Sequence, residues 1–125
     1  MKLLIANWKM APDTPVQAVA LAKATAGIAR TYKKGVTIVV CVPYVHIGHL
    51  AKATKTLLIG GQTVAATTTI ASTGLISASM LRAVGCSYCI VGHSESRAQG
   101  ETNETVQQQL HALLDKKIIP ILCVG

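Results

Sequence analysis

Polar residues that can support chemistry follow two of the apolar runs in this sequence. Asn7-Trp8-Lys9 comes directly after the first run, and Gly92-His93-Ser94-Glu95 closes the fourth. If the runs are parallel strands, their carboxyl ends meet at one edge of the sheet, where the working groups of such proteins gather. Lys9 would then hold an anionic group, and Asn7 would bind a substrate oxygen. The alternatives are a solvated surface lysine and an asparagine that satisfies a strand-end backbone group.

His93 stands immediately before a short helical turn that we expect to begin at Ser94. The N-terminus of a helix disfavours the imidazolium ion, so this histidine would be neutral and would donate a hydrogen bond to a carbonyl oxygen. A purely structural histidine fits the same position. Glu95 either caps the turn or pairs with Lys9. We expect the other three histidines on loop and helix surfaces: His46, His49 and His111.

The elements that must position these groups are five short apolar runs rich in Val, Ile and Leu. The runs are Leu3 to Trp8, Val36 to Cys41, Leu57 to Gln62, Tyr88 to His93, and Ile118 to Val124. They do not alternate with polar residues, which is typical of strands buried on both faces of a parallel sheet. Their starts are about 20 to 35 residues apart, the size of a βαβ unit. The order β-α-β-α-β-α-β-α-β predicts an all-parallel α/β fold.

Helix signals separate the runs. Thr14-Pro15-Val16-Gln17 combines an N-cap threonine, a proline at the first helical position and a glutamine three residues after the cap. Ser77 is the expected cap of a short helix that Gly85 closes, and Pro43 opens another helical segment. The apolar residues available for the inward stripe of the first helix are Val16, Val19, Ala20 and Ile28. Those of the last helix are Val106, Leu110, Leu113 and Leu114.

Composition narrows the class of protein and of partner. The 125 residues suit one domain, and a hydrophobic fraction of 50% excludes a disordered tail. The net charge of +7 suits a small phosphorylated ligand. We expect no nucleic-acid partner, because aromatics are few and the basic residues are scattered or paired: Lys33-Lys34, Lys52 and Lys55, Lys116-Lys117. We expect no membrane partner and a cytoplasmic location, because no apolar run reaches about 20 residues and the first is too short for a signal peptide.

The four cysteines allow a metal site or a set of core thiols. Cys86-x-x-Cys89 and His46-x-x-His49 resemble two zinc-ligand pairs, but their order and separation match no known finger spacing. Cys41, Cys89 and Cys123 lie inside apolar runs, where free cysteine behaves as a small buried hydrophobe. We therefore expect core thiols and no metal.

The motifs together resemble one known family. Ala6-Asn7-Trp8-Lys9-Met10 is similar to the N-terminal signature of the triosephosphate isomerases, and Ile90-Val91-Gly92-His93-Ser94-Glu95 is similar to their fourth-strand motif. Further matches in family order are Gly61-Gln62, Ser72-Thr73-Gly74, Gly100-Glu101-Thr102 and Pro120-Ile121-Leu122-Cys123-Val124-Gly125. The resemblance covers essentially the whole chain. It implies a parallel (βα)4β half of a TIM (β/α)8 barrel, as a single half-barrel domain over residues 1–125.

The resemblance also implies roles for particular residues. Lys9 would neutralise negative charge on the substrate and help hold its phosphate, and Asn7 would orient the substrate. Neutral His93 would polarise the carbonyl and move protons between its two oxygens, while Glu95 would support Lys9 and His93. Thr73 would lie at the tip of a loop that reaches a partner subunit. The implied reaction interconverts dihydroxyacetone phosphate and glyceraldehyde 3-phosphate through an enediolate, without cofactor or metal.

The sequence departs from the family in two respects. A complete barrel needs about 250 residues, and the general-base glutamate of the family follows its sixth strand. Since general-base catalysis is worth about 10²–10⁴ in rate, we expect this chain alone to be inactive or nearly so. Leu75 and Ser96 stand where the family usually has a glutamate and an arginine that pair between subunits. An interface at Thr73 and Leu75 would therefore need other contacts.

Three interpretations remain open. The first is the amino-terminal half of a triosephosphate isomerase that needs a complementary C-terminal half. The second is a half-barrel that self-assembles as a homo-oligomer and catalyses little, because an open parallel sheet leaves apolar edges uncovered. The third is a phosphate-ligand-binding α/β module in which Lys9 and His93 bind without turnover.

Overall fold

The computed structural model describes residues 2–32 and 35–125 of the chain. It contains one sheet of five parallel strands in the consecutive order β1-β2-β3-β4-β5. The strands are β1 (Lys2–Asn7), β2 (Val36–Cys41), β3 (Leu58–Gly61), β4 (Tyr88–Val91) and β5 (Ile119–Leu122). The predicted parallel α/β arrangement is therefore confirmed. The basic pair Lys33-Lys34 lies outside the described residues.

Four of the five strands end one or two residues earlier than predicted, and β2 ends where expected. β1 stops at Asn7 and β4 stops at Val91, so Lys9 and His93 both lie in the loops beyond the strands. Gln62 likewise follows the last residue of β3. The apolar runs continue beyond the paired backbone because the first loop residues still cover the core. These loops at the carboxyl edge of the sheet carry the polar residues considered below.

Helices join successive strands and cover one face of the sheet. They are α1 (Pro15–Thr31), α2 (Tyr44–Ala53), α3 (Ala78–Ala83), α4 (Ser94–Ala98) and α5 (Asn103–Asp115). Their buried residues pack with the outward side chains of the strands, including Val40, Ile59 and Val91. A second, smaller cluster lies on the opposite, inner face, around Val39, Cys41 and Ile90. The sheet thus separates a helix-covered outer face from an inner face.

Helix α1 begins as the sequence predicts, but it presents a different stripe to the core. The backbone N–H of Gln17 donates to Thr14 Oγ1 at 3.3 Å, and the Thr14 N–H donates to Gln17 Oε1 at 3.2 Å, which completes a capping box. The predicted inward residues Val16 and Ile28 are 80% and 59% exposed. The buried stripe is instead alanine: Ala18, Ala22 and Ala26. Small side chains at i, i+4 and i+8 let the helix approach the neighbouring layer closely, and this spacing determines which face is inward.

Helix α5 also buries a set of residues that differs from the predicted one. Val106 and Leu113 of α5 are buried as predicted, whereas Leu114 is 59% exposed. The polar residue Gln109 is buried in its place, only 4% exposed. The i, i+3, i+7 spacing from Val106 places Gln109 on the inward face, where its amide nitrogen donates to the Val64 carbonyl oxygen and to Glu101 Oε1.

Cysteine sulfurs fill the space beside two glycines in β3. A Cβ added to Gly60 would lie 2.7 Å from Cys41 Sγ on the inner face, and one added to Gly61 would lie 3.2 Å from Cys89 Sγ. All four cysteines are free, and Cys41, Cys86 and Cys89 are buried, as the core-thiol prediction expects. Burial, with smaller contributions from neighbouring thiols, raises the pKa of Cys41 to about 12. These thiols therefore serve as packing groups.

One histidine prediction is wrong. His46 is not on a surface: it is only 2% exposed, and its Nε2 lies 2.8 Å from the Pro12 carbonyl oxygen. It packs α2 against the loop that follows β1. In the ranges that the structure describes, no three side chains of His, Cys, Asp or Glu are grouped so as to hold a metal ion. No helix within those ranges is long and apolar enough to cross a membrane.

The two edges of the sheet carry exposed apolar side chains. On β1, Leu3, Leu4 and Ile5 are 50%, 55% and 37% exposed. On β5, Ile119 and Leu122 are 53% and 47% exposed. Exposed apolar residues along unpaired parallel strands are a template for further pairing. Both edges are thus suited to additional strands or helices.

Candidate active site

Lys9 lies in the left-handed region of backbone conformation, just beyond β1. Its φ of 55° is uncommon for a residue with a side chain and is maintained only where neighbouring groups hold it. The Lys9 N–H donates to Asn7 Oδ1 at 2.9 Å, which closes a tight turn over Trp8. Asn7 therefore fixes the backbone from which the lysine side chain projects.

Gln62 holds this turn from the end of β3, across the intervening strand β2. Its Nε2 lies 2.7 Å from the Lys9 carbonyl oxygen and 3.2 Å from Asn7 Oδ1, with a further contact of 3.3 Å to the Cys41 carbonyl oxygen. All three partners are acceptors, so the amide acts here only as a donor. The sequence predicts Gln62 at the end of a strand but indicates no role for it in the site. The available signal was its position just beyond β3, because the carboxyl ends of β1, β2 and β3 lie at the same edge of the parallel sheet.

Replacing Gln62 by glutamate should therefore destabilise the chain more than replacing it by leucine. Glutamate would direct carboxylate oxygens at three acceptor oxygens, whereas leucine only removes the donor. We expect a loss of about 1–3 kcal/mol in the free energy of unfolding for Gln62→Glu at neutral pH. Denaturant titrations of both variants at neutral and acidic pH test this. If Gln62→Glu is as stable as the parent chain at neutral pH, the donor role is wrong.

His93 caps α4 through its own side chain. The Glu95 N–H donates to His93 Nδ1 at 3.2 Å. Because a backbone N–H can only donate, Nδ1 accepts and the ring proton lies on Nε2. The side chain is 24% exposed, so Nε2–H remains available to a ligand. This arrangement makes Nε2–H the donor atom of the ring.

Arg97 supports the loop that carries His93. Its Nε donates to the Gly92 carbonyl oxygen at 2.9 Å, and its Nη1 donates to Asn103 Oδ1 at 2.9 Å. Gly92 has a φ of 71°, and a Cβ there would lie 3.0 Å from Arg97 Nη2. A side chain at residue 92 would therefore meet both backbone strain and the guanidinium group. The guanidinium joins the strand end to the first turn of α5.

Lys9 and Glu95 form an ion pair between the two loops. Lys9 Nζ donates a hydrogen bond to Glu95 Oε1, and Glu95 Oε2 lies 3.6 Å from His93 Nδ1. The hydrogen bond from Lys9 is the main cause that lowers the pKa of Glu95, and the charge of Lys9 lowers it further. Glu95 is thus a carboxylate at neutral pH. The pairing alternative for Glu95 is realised, and three of the predicted site residues come together.

The lowered pKa of Glu95 predicts how its contribution depends on pH. A carboxyl whose pKa falls on folding contributes stability above its unfolded pKa and loses it as pH falls through the folded value. The unfolding midpoint of the parent should therefore approach that of Glu95→Gln as the pH falls below about 4.5. Thermal unfolding of both proteins across that range checks this. Comparing the pair isolates Glu95 from Glu104, whose pKa is also lowered, by hydrogen bonds at the start of α5. A difference in unfolding midpoint that does not change with pH would contradict the assignment of a lowered pKa to Glu95.

An open cavity of about 470 Å³ lies at this edge of the sheet. Asn7, Lys9, Gln62, His93 and Glu95 all line it. Its lining includes one cation, one histidine, one carboxylate and three amides, of which Gln99 is the third. A ligand with an anionic end and a carbonyl or hydroxyl end finds a complementary partner for each. The cavity volume suits a small molecule.

Thr73 and Leu75 lie elsewhere, in the loop between β3 and α3. Thr73 is exposed at a turn that Gly74 completes, and Leu75 is 52% exposed. The Leu75 N–H donates to the Ser72 carbonyl oxygen at 3.2 Å, which closes the turn. Neither side chain lines the cavity that holds Lys9 and His93. Within one chain they are surface residues, available to a partner.

The chain has five consecutive parallel strands, helices on one face of the sheet and a polar cavity at the carboxyl ends of the strands. This architecture is half of a TIM (β/α)8 barrel. The family model for triosephosphate isomerase matches residues 2–125. The chain therefore belongs to the triosephosphate isomerase family.

Individual relatives agree with that family. The chain is 42% identical over 127 residues to the triosephosphate isomerase of Methylococcus capsulatus, covering 98% of this chain and 49% of that protein. It is 37% identical over 127 residues to that of Cupriavidus necator, covering 99% and 50%. The crystal structure of the Bartonella henselae triosephosphate isomerase superposes with a TM-score of 0.86 at 28% identity, covering 99% of this chain and 52% of that one. The chain thus spans about half the length of the relatives it matches.

Proposed function

We propose that this chain provides the Lys9–His93 half of a triosephosphate isomerase active site. Lys9 holds the anionic end of a phosphorylated triose, and Asn7 orients the substrate. His93 donates from Nε2 to the carbonyl oxygen and moves protons between the two substrate oxygens, while Glu95 holds Lys9 and His93 in place. The reaction interconverts dihydroxyacetone phosphate and glyceraldehyde 3-phosphate through an enediolate. It uses no cofactor and no metal.

The observation that carries the proposal is the meeting of Lys9, Glu95 and His93 around one cavity. An ammonium group and a neutral N–H donor lie where negative charge develops, and such preorganised donors supply much of the catalysis in enolate chemistry. The left-handed backbone at Lys9, held by Asn7 and Gln62, supports a fixed position for the ammonium group. The net charge of +7 favours approach of an anion.

The proposed reaction also needs a base that removes a proton from carbon. Among the described residues, Glu95 is the only carboxylate that lines the cavity. Its pairing with Lys9 and its lowered pKa make it a weak base. We infer that the 125-residue chain turns over substrate slowly or not at all without a complementary half. In this proposal residues 1–125 form one half-barrel domain, and the base comes from a complementary half of the barrel.

Binding of a phosphorylated enediolate mimic tests the ligand class directly. Phosphoglycolate, titrated into the chain and followed by NMR, should shift the signals of Lys9, His93 and Gln62. Inorganic phosphate serves as the control and should bind more weakly, because it lacks the group that faces His93. If phosphoglycolate shifts none of the three residues, the proposed site is wrong.

A second candidate function rests on the exposed sheet edges. Leu3 and Ile5 at one edge and Ile119 at the other support a self-assembled half-barrel, in which copies of the chain cover one another and catalyse little. Sizing by light scattering distinguishes the candidates. A monomer of 13.1 kDa would exclude self-assembly, and a stable oligomer without turnover would favour it.

The family membership further supports a homodimer whose contact includes the exposed loop of Thr73 and Leu75. Leu75 would make an apolar contact there, since Ser96 offers no charge for an ion pair. Family membership also supports a cytoplasmic location.

A further inference from the structure

Charged side chains are divided unevenly between the two edges of the sheet. Each strand starts at what we call the amino edge, and the helix that leads into the next strand ends there. Strand starts, last helical turns and connecting loops at this edge carry seven exposed basic side chains: Lys2, Arg30, Lys52, Lys55, Arg82, Lys116 and Lys117. Among the same described segments the only carboxylate is Asp115, at the end of α5.

The carboxyl edge has the opposite balance. Four carboxylates lie in its loops and first helical turns: Asp13, Glu95, Glu101 and Glu104. Its basic residues in the described ranges are Lys9, which pairs with Glu95, and Arg97, which donates to the Gly92 carbonyl oxygen. The basic surplus of the described segments therefore lies at the end of the fold opposite the cavity of Lys9 and His93.

Stabilisation of helix ends accounts for only part of this pattern. Three of the seven basic residues stand in the last turns of α1, α2 and α3, where a positive charge complements the helix dipole. Lys2 begins β1, and Lys55 and Lys117 lie beyond the last turns, in the connections into β3 and β5. A surface of one sign that draws on strands, loops and helices suits contact with an extended anionic partner.

Exposed apolar side chains accompany the charges at the amino edge. Tyr32 after α1, Leu58 at the start of β3 and Ile119 at the start of β5 are 62%, 36% and 53% exposed. An open cavity of about 250 Å³ lies beside Arg30 and Leu58. Basic side chains interspersed with tyrosine and aliphatic ones fit the surface of a bilayer, where anionic headgroups cover an apolar layer. Nucleic acid offers no apolar layer for these three side chains.

The extent of the basic surface also favours a lipid partner. The five strand starts span roughly 20 Å at about 4.8 Å per strand, and the helix ends widen this area on one side. A broad, fluid lipid surface can contact all of these segments at once. An acidic peptide, by contrast, follows one line across them.

We propose that the amino edge of the sheet docks on an anionic lipid surface. The ammonium and guanidinium groups contact the headgroups, and Tyr32 and Ile119 enter the interfacial layer. The expectation of no membrane partner concerned a spanning segment, whereas this contact is peripheral and needs none. The cavity of Lys9 and His93 then faces away from the lipid. The proposal does not rest on the proposed isomerase function, because the two surfaces lie at opposite edges of the sheet.

Sedimentation with lipid vesicles tests the proposal on the 125-residue chain. At low salt we expect the chain to sediment with vesicles of equal parts phosphatidylserine and phosphatidylcholine, and to stay in solution with phosphatidylcholine alone. Added salt should release it, because the attraction acts between exposed charges. Equal binding to both kinds of vesicle, or binding to neither, would overturn the proposal.

Charge-removing variants locate the contact on the molecule. Lys55→Gln should weaken binding to the phosphatidylserine vesicles about fivefold, and Lys55→Gln/Lys116→Gln about 25-fold, at about fivefold for each charge. Lys23→Gln is the matched control, since it removes one charge from an exposed position midway along α1. We expect that control to bind within about twofold of the parent. Equal losses for Lys23→Gln and Lys55→Gln would overturn the assignment to the amino edge.

Two other polyanions test the class of partner. Duplex DNA and poly-glutamate should each bind more weakly than the phosphatidylserine vesicles at the same salt concentration, because neither provides an apolar layer for Tyr32 and Ile119. If either polyanion binds the chain more tightly than the vesicles do, the lipid proposal is wrong.

Discussion

Lys9→Met should weaken phosphoglycolate binding by about a hundredfold. A unit charge about 4 Å from an anion contributes roughly 4 kcal/mol near a protein surface, and partial exposure of Lys9 reduces this contribution. A remaining loss of about 2.7 kcal/mol corresponds to two orders of magnitude in affinity. Methionine keeps most of the length of the side chain but removes the ammonium group. Calorimetric titration of parent and variant measures the ratio.

A matched control variant distinguishes binding at the Lys9 site from general attraction by the net charge. Lys52→Met removes one positive charge from an exposed position on α2 and should leave the affinity within about twofold. Circular dichroism should show the same fold for both variants. Equal affinity losses for Lys9→Met and Lys52→Met would indicate non-specific attraction by the net charge.

Gly60→Ala should destabilise the chain by about 3 kcal/mol or more. The new Cβ would lie 2.7 Å from Cys41 Sγ and 3.3 Å from the Tyr88 carbonyl oxygen. The carbonyl oxygen belongs to the backbone of β4 and moves only with that strand, while Cys41 Sγ on β2 would have to rotate within a closely packed interior. Denaturant unfolding gives the loss in free energy directly. A variant as stable as the parent would contradict the close contact between residue 60 and Cys41 Sγ.

Two further variants identify the cause. Cys41→Ala removes the sulfur, so the double variant Gly60→Ala/Cys41→Ala should lose less than the sum of the single losses. Gly27→Ala lies within α1, where an added Cβ meets nothing within 4 Å. That change should stabilise the chain by about 0.5–1 kcal/mol, because alanine favours helix over glycine. A strictly additive double variant would mean that Cys41 is not the obstructing group.

The sequence alone predicted the order of the elements and several of the residues that line the cavity. Continuous apolar runs, together with the capping residues Thr14 and Ser77, were enough to place β1 to β5 and the helices between them. Because parallel strands bring their carboxyl ends to one edge, Asn7, Lys9 and the segment of His93 could be placed together. These features follow from local patterns and from topology.

Features that depend on tertiary packing were not predictable. The alanine stripe of α1 is buried because the helix packs closely against its neighbours. The sequence pattern predicted Val16 and Ile28 on the inward face instead, and both are exposed. His46 and Gln109 are polar residues buried by specific partners, which periodicity does not reveal. The donor role of Gln62 depends on three acceptors from separate segments, so it becomes apparent only when the segments meet.

Complementation tests the central claim most directly. The chain should be mixed with the half of the Methylococcus capsulatus relative that it does not match, and the interconversion of the two triose phosphates should be followed. We expect the mixture, but neither half alone, to turn over substrate, and we expect Lys9→Met to abolish this activity. A folded complex of the two halves that shows no turnover, or turnover that survives Lys9→Met, would contradict the proposed site.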